Sequence, residues 1–131
     1  MAGHIVGRMI GTLESLVIDC PDPRGLARLY SGLLGLEIVA DDDGWAEIVA
    51  AGGDRPIIAF QQVQAYNPPQ WPSQDVPQQM HLDVKVDDLD VGEAAVLELG
   101  ATKTGAGTAT FRVYRDPAGH PFCLVKPADA V

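Results

Sequence analysis

Apolar and polar side chains alternate along Leu13–Cys20, which predicts a strand with Leu16, Ile18 and Cys20 on one face and Ser15, Val17 and Asp19 on the other. The period then changes. Leu26, Leu29, Tyr30 and Leu33 recur at helical spacing after Asp22, a natural N-cap, and Pro23, whose missing N–H costs nothing at a first helical position. Gly35 can take the left-handed conformation that closes such a helix, so the spacing predicts a helix over Pro23–Leu34. Three more strands are predicted at Glu37–Ala40, Trp45–Ala50 and Pro56–Val63, with turns at Asp43-Gly44 and Gly52-Gly53-Asp54.

Tyr66–Pro77 holds four prolines, which rules out a helix or a central strand and predicts an extended linker. Beyond it the pattern starts again. Met80–Val86 alternates strictly, with Leu82, Val84 and Val86 on one side and His81, Asp83 and Lys85 on the other. Asp88 caps a predicted helix that runs to about Leu99 and closes at Gly100. Short strands follow near Thr102, at Thr110–Arg115 and at Pro121–Lys126, with a turn at Asp116–Gly119. The two halves superpose. Leu16–Asp22 lies over Leu82–Asp88, and Ile58–Gln61 lies beside His120–Cys123. Each half is therefore β-α-β-β-β, a repeat of about sixty residues, too long and too few for a solenoid.

The 131 residues suit one domain: module one at about 13–63, a Pro-rich linker at 64–78, and module two at about 79–127. A hydrophobic share of 47% supplies a core and excludes a disordered chain. The formal charge of −9 repels phosphate backbones and anionic bilayers, so neither nucleic acid nor membrane is an expected partner. No apolar run approaches the ~20 residues of a membrane span. Met1–Thr12 reads as a loose arm without the regions of a signal peptide, and His4 within it has no role. Cys20 and Cys123 are expected as reduced thiols in a cytoplasmic protein.

The duplicated unit, opened by LVIDCPDPRGLARLYSGLLGLEI and closed by HLDVKVDDLDVGEAAVLELGA with DPAGHPFCLV, resembles the vicinal oxygen chelate superfamily of glyoxalase I, bleomycin-resistance proteins and extradiol dioxygenases. The resemblance covers Leu13–Pro127 and implies an α+β fold in which two βαβββ modules form a curled mixed sheet around a cup-shaped cleft, commonly as a homodimer. It also implies metal ligands on the first and last strands of each module. At those places this chain has Ser15 where His is usual, Gln61 (or Gln62), His81, which matches, and Cys123 where Glu is common. Ser15 is a poor ligand and Gln61 offers only a neutral carbonyl, so no metal or other cofactor is expected.

His81 is the candidate base, hydrogen-bond donor or wall residue of the cup. Ser15, Trp45, Gln61, Trp71, Tyr114 and Cys123 are the other candidate ligand-binding residues, since inward-facing Trp45 and Tyr114 would make the cavity aromatic. If they point to the helices instead, that cavity shrinks. His120 is expected to serve the Asp116–Gly119 turn, Cys20 the core, and Asp41–Asp43 a solvated hairpin tip. The expected function is binding of a small aromatic or apolar molecule without a catalytic metal, as in sequestering resistance proteins. The alternative is a metal-dependent or His-based lyase, isomerase or dioxygenase of the same superfamily.

Overall fold

A computed structural model describes residues 10–55 and 57–127. The opening arm up to residue 9, with His4, and Pro56, the expected first residue of a strand, lie outside the described residues. Eight strands and two helices follow one another as β1 (Ser15–Cys20), α1 (Pro23–Leu34), β2 (Glu37–Asp41), β3 (Trp45–Val49), β4 (Ile57–Gln62), β5 (Leu82–Lys85), α2 (Leu89–Glu98), β6 (Thr102–Gly107), β7 (Phe111–Arg115) and β8 (Pro121–Val125). The expected duplication is therefore present. The strands pair as two open four-stranded sheets, β1-β4-β3-β2 and β5-β8-β7-β6, not as one continuous sheet. In each, the first and last strands of the module run parallel at one side and the hairpin strands extend the sheet outward.

Local chemistry sets the helix ends. The Asp22 carboxylate accepts the Gly25 N–H, and Gly35 closes α1 at φ 69°, donating to the Ser31 carbonyl. Asp88 does the same for α2 by accepting from Asp90 and Val91. Leu26, Ala27, Leu29 and Tyr30 form the buried stripe of α1, which packs on β2, β3 and β4.

One core joins the two modules. Tyr30 stacks on Phe60 of β4 at 5.8 Å between ring centroids and meets Phe122 of β8 edge-on at 6.1 Å. Tyr114 stacks on Phe122 at 5.7 Å. These aromatic contacts add to an interior that also holds Ile18, Cys20, Ile48, Val96 and Leu124. No described helix is long and apolar enough to cross a membrane.

Candidate functional site

Each sheet has a face turned to its helix and a face turned away. In the second sheet, Phe122, Leu124 and Tyr114 face α2, so alternation sends Cys123, Asp83 and Val113 to the other side. Asp83 lies directly across from Cys123, and the Nε2 of His81, one residue before β5, lies 3.2 Å from the Asp83 carboxylate. The three possible ligand atoms of His81, Asp83 and Cys123 lie within 4.8 Å of one another. Burial, and then the Asp83 carboxylate, push the Cys123 thiol up to about 11. One imidazole, one carboxylate and one thiol fit a borderline ion such as Zn²⁺ with a position left open, and do not fit a hard, all-oxygen ion. An ion bound there would supply Lewis-acid chemistry, and the thiol would have to lose its proton first. Asp83 is the member that the sequence reading left out, although its place two residues after His81 puts both on one strand face.

The first sheet does not complete that set. Ser15 pairs with Ile57, whereas Gln61 pairs with Asp19, which sets Ser15 and Gln61 roughly 13 Å apart along the ladder. They cannot share one ion. Measured from the Ser15–His81 equivalence, the counterpart of Cys123 is Ala59, which sits opposite Val17 as Cys123 sits opposite Asp83. The equivalence of Gln61 with Cys123 expected from the sequence is thus two residues out of register. A slip of two leaves every side chain on its own face, so alternation gives no warning of it. Trp45 is half-buried on the face away from α1, across from Gln61, and its indole N–H donates to Glu47 at 2.7 Å.

Tyr114 does not line an aromatic cup. It is buried against α2, with its hydroxyl donating to Glu93 at 2.9 Å, and it borders a separate polar cavity of about 440 Å³ beside Arg112 and Lys103. The Tyr114 hydroxyl, with Lys103 and Arg112, holds the Glu93 carboxyl below its usual range. Arg112 points the same way and bonds Asp90 at 2.9 Å, because residues two apart on a strand share a face.

The larger cavity is a cleft of about 570 Å³ where the two modules meet. Val17 and Asp19 of β1, Val63, Tyr66 and Val76 of the linker, Met80 and His120 are among its lining residues. None of Ser15, Trp45, Gln61, Trp71, His81, Tyr114 or Cys123 lines it. Trp71 lies half-buried in the linker, and its carbonyl accepts from Arg115 at 2.8 Å. Gly119 of the β7–β8 turn abuts Pro68, which presses the linker onto the second module.

His120 organises this junction. Its Nδ1 lies 2.9 Å from the Asp116 carboxylate, and its Nε2 lies 2.8 Å from the Asp19 carbonyl and 3.0 Å from the Tyr66 hydroxyl. Asp116 also accepts the Tyr30 hydroxyl at 2.7 Å and the backbone N–H groups of Ala118 and His120 at 2.9 Å. The turn role expected of His120 is real. The same ring also ties β1 and the linker to the second module, a contact no local pattern announces. Burial, with the Asp116 charge next, pushes the Tyr66 phenol up to about 12, and burial drives Tyr30 further in the same direction.

Known proteins share this architecture. A fosfomycin resistance protein, FosX, from Mesorhizobium loti aligns at TM-score 0.65 with 16% identity, over 92% of this chain and 94% of its own. TnmS3, an antibiotic binding protein from Streptomyces sp. CB03234, aligns at 0.55 with 21% identity, over 93% and 100%. A glyoxalase/bleomycin resistance protein/dioxygenase family enzyme from Burkholderia phytofirmans PsJN aligns at 0.63 with 15% identity, over 88% and 98%. At such identities the likeness is one of fold. No curated protein matches the chain in sequence. The glyoxalase-like domain matches residues 15–125, nearly all of the two modules, and the chain belongs to that family.

Proposed function

We propose that the protein binds a small, largely apolar molecule in the cleft between β1, the Pro-rich linker and His120, and that this binding needs no metal. The cleft itself carries the reading. Its volume of about 570 Å³ falls within the roughly 300–1,000 Å³ of small-molecule sites. Val17, Val63, Val76 and Met80 give it apolar wall, and Asp19, Tyr66 and His120 give it a few polar groups. Two proteins of the same fold are described as an antibiotic binding protein and a fosfomycin resistance protein, which supports sequestration or resistance as the biological use.

A thermal-shift screen of small apolar compounds against the wild type and Val17→Arg tests this. Val17 is 38% exposed, so the long side chain should fill the cleft without unfolding the sheet. Compounds that raise the melting temperature of the wild type and not of the variant support the reading. No such compound, or hits indifferent to the substitution, would overturn it. The reading includes a homodimer in the cytoplasm; sedimentation at micromolar concentration would check the oligomeric state.

The convergence of His81, Asp83 and Cys123 favours a second reading, a metal-dependent enzyme. In it, His81 and Asp83 hold the ion from exposed positions and Cys123 from a buried one. Elemental analysis after incubation with Zn²⁺ decides between the readings. Near-stoichiometric zinc that disappears in His81→Ala would favour the enzyme, and no uptake would remove it.

A further inference from the structure

The polar groups in the wall of the junction cleft are not interchangeable. The Asp19 carbonyl and the Asp116 carboxylate can only accept hydrogen bonds, and they lie 2.8 Å and 2.9 Å from the two nitrogens of His120. The ring therefore donates from both nitrogens. The Tyr66 hydroxyl, 3.0 Å from Nε2, meets an N–H and not a lone pair, so its oxygen accepts a share of that hydrogen bond. Its own proton is left over, and among the described residues the hydroxyl has no other partner. Burial holds the phenol at about 12, so it keeps this proton at neutral pH.

The rest of the lining limits what can receive that proton. The cleft has two carboxylates, Asp19 and Asp75, and no lysine or arginine. Both His120 protons are already committed to protein acceptors. A ring that donates from both nitrogens is cationic, but its charge is paired with the Asp116 carboxylate at 2.9 Å. An anionic ligand would therefore face Asp19 and Asp75 without a free counter-charge, whereas a neutral oxygen acceptor needs only the one donor. Resting on the reading proposed above, we infer that Tyr66 is the polar anchor of the cleft and donates to a neutral carbonyl-type oxygen on an otherwise apolar ligand. His120 and Asp116 are its positioning residues, and Tyr30 braces Asp116 from α1.

Three probes of one shape test this: 2-acetylnaphthalene, 2-ethylnaphthalene and 2-naphthoate, with dissociation constants from calorimetry. The ketone should bind the wild type about fivefold more tightly than the hydrocarbon, the usual worth of one neutral hydrogen bond. The carboxylate should bind more weakly than either. Tyr66→Phe should erase the ketone preference and leave the hydrocarbon affinity unchanged. His120→Gln, with Tyr66 intact, should narrow the preference, an effect that a purely structural histidine would not have on the ratio.

Equal binding of ketone and hydrocarbon to the wild type would overturn the inference while leaving the cleft as a binding site. So would a preference that survives Tyr66→Phe, or tight binding of the naphthoate. If no probe binds the wild type, or if all bind Val17→Arg unchanged, the cleft reading itself fails and the inference falls with it. Should Tyr66→Phe not fold, the wild-type ratio and its response to His120→Gln still decide the matter.

Discussion

The hydroxyl of Tyr30 in α1 donates to the carboxylate of Asp116, at the end of β7, across 2.7 Å. This bond connects the helix of the first module to the turn of the second. Asp116 is only 4% exposed and also accepts two backbone N–H groups and the His120 ring. Removing one donor leaves the carboxylate with its other partners, whereas removing the carboxylate leaves several donors unpaired. Tyr30→Phe should therefore cost about 1–2 kcal/mol, and Asp116→Ala about 3 kcal/mol or more. Urea midpoints at unchanged slope would check both values.

Alkali should unfold the protein earlier than its charge alone suggests. Burial raises the thiols of Cys20 and Cys123 from 9.0 to about 11, and the phenols of Tyr66 and Tyr114 from 10.0 to about 12. In this range the unfolded chain gives up these protons first, so the folded state binds more protons and stability falls as pH rises. The contribution is fully present below about pH 9 and is lost between pH 9 and 12. Denaturant midpoints at pH 8, 9, 10 and 11 should fall progressively, and a flat series would contradict the buried, protonated assignments.

Cys123 should be a slow nucleophile. At pH 8 a thiol held at about 11 carries so little thiolate that alkylation should run on the order of a hundredfold slower than for free cysteine. Asp83→Asn removes the neighbouring negative charge and should speed the reaction. Cys20, which is fully buried, should not react in the native protein. Timed iodoacetamide labelling with mass spectrometry distinguishes the two sites.

Gly107 ends β6 at φ 150°, and a Cβ there would run into the Phe111 carbonyl oxygen across the hairpin. Gly107→Ala should cost about 1–3 kcal/mol. Because β6 is at the edge of its sheet and contributes no residue to the lining of the junction cleft, binding there should be unaffected in the fraction that stays folded. A melting curve and a probe titration on the same sample would show both.

Much of the fold is readable from local chemistry. Asp22, Pro23 and Gly35 bracket α1 because capping and left-handed closure depend on residues within one turn. Alternation assigns strand faces for the same reason, since a period of two needs no knowledge of the partner strand. The βαβββ repeat and the proline-rich linker follow from these signals, and the resemblance to a known family rests on the repeat and its quoted motifs. The site was less readable. Alternation places Arg112 and Tyr114 on one face without saying which one, and only the packing of α2 turns them toward Glu93.

The sequence by itself determined the helices, the strand faces, the two-module plan and the polar strand face that carries His81 and Asp83. Tertiary structure alone decided the register that makes Ala59 the counterpart of Cys123 and sets Ser15 apart from Gln61. It also decided the joining of Tyr30 to Asp116 and of His120 to Asp19, contacts between residues 86 and 101 positions apart. The physical reason is one of range. Caps and alternation act within a few residues, whereas register and the docking of one module on another are fixed by side-chain fit between segments that only the folded chain brings together.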